Sequence, residues 1–232
     1  MNGDADVAAA AALLAKPARA ALVLAVIEQG PLPASALANR AGIARSTGSE
    51  HLARLVNGGF LRARKRGRHR YYELADPAVA EAVEALARVA PPRAVRSLRE
   101  ATQSELIRHA RTCYDHLAGR LGVALAQGLE RNGVLVRHDD TYLLGPKAKL
   151  RLAPLDIDVE TLARQRRPLV RGCLDWSEHE LHLAGALGAA IATRLLELRW
   201  IERRAGNRSV AVTSVGRDRL RGELGVDLDD VD

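Results

Sequence analysis

Aromatic side chains are nearly missing from this chain: one Phe, two Trp and four Tyr make up 3% of it. The core must therefore be filled by Ala, Leu and Val. That favours helices, because Ala and Leu form helices well and the bulky strand formers are scarce. Only two cysteines are present, 60 positions apart, which excludes a disulfide-stapled scaffold. No run reaches the roughly 18 uncharged apolar residues of a membrane-spanning helix, so no membrane partner is expected. The opening "MNGDADVAAAAALLAKP" carries acid where a secretory leader needs base, and the chain reads as cytoplasmic. There is no Walker loop, dinucleotide fingerprint, Gly-x-Ser-x-Gly or His-Glu-x-x-His.

What is plentiful is positive charge. The net charge is +7 over 232 residues, with a pI near 10.0. A basic balance of this kind points to a polyanion, nucleic acid before membrane surface. The chain is long enough for one large domain or two small ones.

The first third is organised. "PARAALVLAVIE", Pro17 to Glu28, reads as an apolar helix, and Gly30-Pro31 breaks it. Ala34 to Ala41 read as a second helix, Gly42 as a sharp turn, and Ala44 to Asn57 as a third helix closed by Gly58-Gly59. Helix, glycine turn and helix make a helix-turn-helix. On the last helix Ile43, Leu52, Leu55 and Val56 form the buried stripe. Arg45, Ser46, Thr47, Ser49, Glu50 and Arg54 lie opposite, small polar and cationic groups suited to phosphates and base edges. "FLRARKRGRHRYYEL" then alternates like a hairpin, with Gly67 at its turn. Arg62, Arg64, Lys65, Arg66, Arg68 and Arg70 place six cations within nine residues. A basic hairpin directly after a helix-turn-helix is a winged helix, in which the second helix enters the major groove and the wing lies on phosphates.

Residues 37–74, "LANRAGIARSTGSEHLARLVNGGFLRARKRGRHRYYEL", resemble the ArsR/SmtB family of winged-helix repressors. The family reads here as Ser-x-x-Ser-x-His-Leu, Gly-Leu-(Val/Leu), then a basic wing ending Tyr-Tyr-x-Leu. The resemblance implies a homodimeric transcriptional repressor that binds a palindromic operator in double-stranded DNA and is released by an effector. Glu50 departs from the pattern, which bears on base preference. Metal-sensing members carry Cys-x-Cys on the first helix of the motif, or Asp and His on the helix after the wing. "PASALANRAG" has no Cys or His, and "DPAVAEAVEALARVA" has no His. Any metal must be sensed elsewhere.

Pro91-Pro92 mark a boundary, giving residues 1–90 as the DNA-binding domain and 94–232 as a sensing and dimerisation module. The fold class is mainly α with short β-hairpin wings, α+β. Within the module, His116–Arg137 align on His182–Arg203 with ten identities in 22 positions. They include all of His-Leu-Ala-Gly-x-Leu-Gly. This reads as an internal duplication, about 97–150 and 158–225, of two winged-helix-like halves. A helix is expected from Ser97 through Cys113 and His116 to Asn132, with Gly119 or Gly122 as the place for a break. Another is expected from Ser177, where "SEHE" matches a capping box.

Each cysteine precedes a copy of the repeated motif. Cys113 and His116 share an i, i+3 face if helical, as do His179 and His182, with Cys173 and Asp175 upstream. Two thiolates, three imidazoles and a carboxylate are zinc-type ligands, and thiolate would favour zinc, copper(I) or another soft transition metal. The opposing reading is that Cys is a small hydrophobe and that the histidines hold the fold. A third is an apolar pocket for a small organic effector, lined by Tyr114 and Trp176. Two other functions remain open: a cysteine-dependent enzyme using Cys113 or Cys173 with a nearby His, and a winged-helix protein-interaction module. The unequal spacing, Cys113 three residues before its His and Cys173 nine before its own, implies that the cysteines do not follow the duplication.

Overall fold

The structure is a computed structural model that describes residues 5–91, 94–205 and 207–229. Pro92 of the expected boundary and Gly206 of the last expected turn lie outside the described residues. The chain divides into two compact units, the first ending at Leu86 and the second starting at Ala87. It is mixed α/β, about half helical, with short antiparallel strand pairs. Among the described residues no single helix is long and apolar enough to cross a membrane.

The first unit runs α1 (Val7–Leu14), α2 (Pro17–Gln29), β1 (Leu32–Pro33), α3 (Ala34–Arg40), α4 (Arg45–Asn57), β2 (Leu61–Arg66) and β3 (His69–Leu74), and α5 (Pro77–Val89) follows. Pro17 starts α2 where its missing N–H costs nothing. Gly42 turns the chain between α3 and α4 at φ +64°, a conformation other residues resist. The two helices cross closely: a Cβ on Gly48 would stand 3.0 Å from the Ala38 Cβ. Leu22, Val23, Leu37, Leu52, Leu55 and Leu61 are fully buried beneath them. The sheet order is β1-β3-β2, with Lys65 opposite Arg70 and Arg66 opposite His69 around Gly67 at φ +61°. This is the helix-turn-helix and wing expected of the sequence.

The second unit departs from expectation. It runs α6 (Leu98–His109), β4 (Arg111–Cys113), β5 (His116–Ala118), α7 (Gly119–Arg131), β6 (Leu135–His138), β7 (Thr141–Leu144) and α8 (Ala148–Leu152). A 3-10 turn (Ala153–Leu155) leads to α9 (Val159–Ala163), β8 (Arg171–Leu174), β9 (Leu181–Ala184), α10 (Gly185–Glu197), β10 (Ile201–Arg203), β11 (Val210–Val212) and α11 (Ser214–Leu224). The helix expected from Ser97 to Asn132 is two helices, the second starting at Gly119, and residues 111–118 between them form a hairpin rather than helix. Ser97 does cap α6, accepting from the Glu100 N–H at 3.2 Å. The helix expected to start at Ser177 starts instead at Gly185. The Ser177 N–H and hydroxyl both donate to the Asp175 carboxylate, so residues 175–180 close a hairpin loop rather than opening a helix.

The duplication has a physical form. Each copy is a hairpin, a 13-residue helix and a second hairpin: β4-β5, α7, β6-β7 and β8-β9, α10, β10-β11. Equivalent apolar positions, 66 residues apart, fill one core: Leu117 and Leu183, Leu121 and Leu187, Leu125 and Ile191, Leu129 and Leu195, all no more than 4% exposed. Each such side chain contributes about 1.5–3 kcal/mol by leaving water. The repeated glycines are explained too. Gly119 and Gly185 sit at φ +74° and +86°, where each strand turns into its helix. A Cβ on Gly122 would stand 2.6 Å from the Leu117 carbonyl oxygen and one on Gly188 2.6 Å from that of Leu183, with the His182 and His116 Cβ atoms at 3.6 and 3.3 Å. So each helix start packs against the histidine of the other copy. The outer hairpins exchange in the same sense. Thr112 N–H donates to the Arg208 carbonyl, and Gly172 N–H donates to the Thr141 hydroxyl.

Candidate functional site

In the first unit, α4 turns Leu52 and Leu55 inward and leaves Arg45, Ser46, Thr47, Ser49, Glu50 and Arg54 exposed. Glu50 pairs with Arg54 at 2.8 Å, one turn on, which offsets its repulsion for phosphate. On the wing, Arg62 through Arg70 are exposed throughout. The six cations are not equivalent. Glu73 holds both Arg62 and Arg64 at 2.5 Å, so the charge at the base of the wing is partly neutralised. Arg66 lies over the Tyr71 ring at 5.5 Å, and with Lys65, Arg68 and Arg70 it carries the charge of the tip.

In the second unit, Cys113, His116, Cys173 and His182 converge, with one ligand atom of each within 4.8 Å of every other. The strands explain how. Cys113 is cross-strand partner to His116 in the first hairpin, and Cys173 to His182 in the second. Directly opposite residues of an antiparallel pair bring their side chains together on one face. The cysteines therefore do follow the duplication. Two residues separate Cys113 from His116 and eight separate Cys173 from His182, because the second hairpin carries a longer loop. An Arg-x-Cys strand precedes the His-Leu-Ala-Gly strand in both copies.

The two imidazoles face each other, Nε2 to Nε2, at 3.2 Å. Behind each lies a carboxylate: Asp115 Oδ1 is 3.1 Å from His116 Nδ1, and Asp175 Oδ2 is 3.3 Å from His182 Nδ1. Each carboxylate is in turn held by an arginine of the other copy. Arg167 donates to Asp115 at 2.6 Å, and Arg111 donates to Asp175 at 2.7 Å. Asp175 also accepts from the Gly119 N–H at 2.7 Å, at the start of α7. Arg111 and Asp175 are fully buried, and Trp176 covers the guanidinium at 4.6 Å.

The ionisation of the cluster follows from these contacts. Hydrogen bonding with Cys113 draws the Cys173 thiol far below its usual range against the opposing effect of burial, and His116 and His182 act in the same direction. Burial works against the charge of both Asp175 and His182. Their close contact at 3.3 Å outweighs it, with Arg111 helping to lower Asp175 and Cys173 helping to raise His182.

Of the six residues singled out as ligands, the structure brings four together. Asp175 stands behind His182 rather than among the ligand atoms, and His179, at φ +57°, is exposed on the hairpin loop. His179 and His182 do not share a helical face, because neither lies on a helix. Tyr114 occupies the tight turn of the first hairpin at φ +61°. Trp176 packs on Arg111. The clefts running along Asp156–Glu197 and Leu144–Glu160 are lined by neither. Sequence reasoning missed Arg111, Asp115 and Arg167. The first of these was detectable, since Arg-x-Cys recurs at Arg171-Gly172-Cys173.

A helix-turn-helix domain family matches residues 14–64. An uncharacterized HTH-type transcriptional regulator of Bacillus subtilis, YdfF, is 38% identical over 223 residues, covering 96% of this chain and 99% of that protein. The chain belongs to the HTH-type transcriptional regulators. The regulator is thus matched through its second unit as well as its DNA-binding one. Solved structures similar to part of the regulator include the transcriptional repressor BigR from Xylella fastidiosa, 27% identical over 38% of this chain and 89% of that one, with a TM-score of 0.35. A homodimeric winged helix-turn-helix domain from Mycobacterium bovis is 32% identical over 38% of this chain and 88% of that one, with a TM-score of 0.32.

Proposed function

We propose that the regulator is a homodimeric repressor that holds a palindromic operator through α4 and the β2-β3 wing, and that it leaves the DNA when its second unit takes up an effector. The observation that carries this reading is the exposed row of wing cations beside the polar face of α4. Side chains on α4 would reach base edges, and Arg64, Lys65, Arg66, Arg68 and Arg70 would lie on phosphates. The ArsR/SmtB resemblance of residues 37–74 supplies the dimer and the release. The relative's description as a transcriptional regulator favours regulation over cysteine-dependent catalysis.

A dimer with twofold symmetry reads two inverted half-sites on one face of the duplex, separated by about one helical turn or a multiple of it. Genomic fragments selected by the full chain and then footprinted should show paired inverted protections with that spacing. A single protected half-site would contradict the dimer, and failure to retain any fragment would contradict the DNA reading.

A further inference from the structure

We propose that Cys113, His116, Cys173 and His182 are the four ligands of one soft divalent metal ion of the zinc class, held tetrahedrally between the two copies of the repeat. This goes beyond the DNA reading and stands on the geometry of the second unit alone.

Three observations converge on it. The first is distance. Two imidazole nitrogens about 2.0–2.1 Å from a tetrahedral centre lie about 3.3 Å apart, and the two Nε2 atoms are separated by 3.2 Å. Thiolates at about 2.3 Å from the same centre fit the 4.8 Å limit within which all four ligand atoms lie. The second is tautomer. Each Nδ1 faces a carboxylate, Asp115 or Asp175, and that contact favours a proton on Nδ1. Both Nε2 atoms then turn lone pairs toward each other at the centre of the cluster. That arrangement is repulsive unless a proton or a metal cation lies between them. A carboxylate behind a ligating imidazole is also what fixes ring orientation in metal sites.

The third is charge. Three of the four ligand side chains are buried, at 3% exposure for Cys113, 4% for His116 and 1% for His182. A divalent ion on two thiolates and two neutral imidazoles has no net charge, which a buried site can tolerate. The carboxylates behind it are already balanced by Arg167 and Arg111. Binding releases to solvent whichever thiol protons remain, at most two, together with any second proton on His182, and changes no oxidation state. Cys173 is only half-buried and offers the approach for the ion. Hard ions such as magnesium and calcium are not candidates, because the cluster presents no oxygen ligand.

Each copy of the repeat supplies one Cys–His pair, so the metal would join the copies across their shared core. The test is a cobalt(II) titration of the reduced, chelator-stripped full chain, without DNA. The expected result is one equivalent bound, with the strong visible bands of tetrahedral cobalt, near-ultraviolet thiolate charge transfer, and displacement by one equivalent of zinc(II). His179→Gln should leave the spectrum unchanged. Cys113→Ser should lose much of the charge-transfer band, and His182→Gln should weaken cobalt binding about tenfold or more. A weak octahedral spectrum without charge transfer in the unmodified chain would overturn the proposal, whether or not the variants fold. So would an unchanged spectrum in the Cys113→Ser/Cys173→Ser double variant.

Discussion

Arg66→Glu combined with Arg68→Glu is expected to lower the regulator's affinity for DNA about a hundredfold or more at moderate salt. Both residues lie at the exposed tip of the wing, and their guanidinium groups would lie against phosphates. Each phosphate contact releases a counterion, so losing one reduces the slope of log affinity against log salt by about 1, and reversal adds repulsion. In a dimer the loss counts twice. Arg64→Ala should cost less, because Glu73 already holds Arg64 at 2.5 Å. Fluorescence anisotropy on a bound fragment measures the affinity, and circular dichroism should show the fold unchanged because these side chains are not in the core. Affinity within a few-fold of the parent chain would remove the wing from the interface.

Asp175→Asn is expected to destabilise the second unit by about 3–5 kcal/mol, the cost of breaking a buried ion pair by removing one partner. The mutation leaves the Arg111 guanidinium at 1% side-chain exposure without its counter-charge. It also disturbs the acceptor of the Gly119 N–H and the contact behind His182. Arg111→Met should cost a comparable amount by stranding the carboxylate. Both tryptophans, Trp176 and Trp200, lie in this unit, so denaturation followed by tryptophan fluorescence reports on it. A shift below about 1 kcal/mol would mean that the pair is replaceable by water or by a rearranged loop.

The two units were unequally legible in the sequence. In the first, local signals agree. Pro17 starts a helix, Gly42 and Gly67 turn the chain, Leu52 and Leu55 mark one helical face, and the cations alternate along a hairpin. Every element there is specified within a dozen residues. In the second, the critical strands are three or four residues long, and β5 and β9 both end in His-Leu-Ala, which reads as helix. They are strands because Arg-x-Cys pairs with them, and that is set by packing between the copies. The four clustered side chains were all picked out, but Cys113, His116 and His182 for a helical reason that does not hold. The unequal Cys–His spacing obscured a symmetry that the strand register makes plain, because spacing counts loop residues and register does not. Asp115 and Arg167 carry no such signal, and the partner of Arg111 could not be placed, since which arginine meets which carboxylate depends on one copy reaching into the other.

The most direct test of the central claim is the salt dependence of DNA binding by the full chain. Binding to a retained genomic fragment should weaken steeply between about 50 and 200 mM salt, by some three orders of magnitude if six or more phosphates are contacted. Log affinity should fall linearly with log salt, and the slope should shrink with each wing cation removed. Affinity that stays constant across that range would contradict a DNA-binding regulator built on this wing.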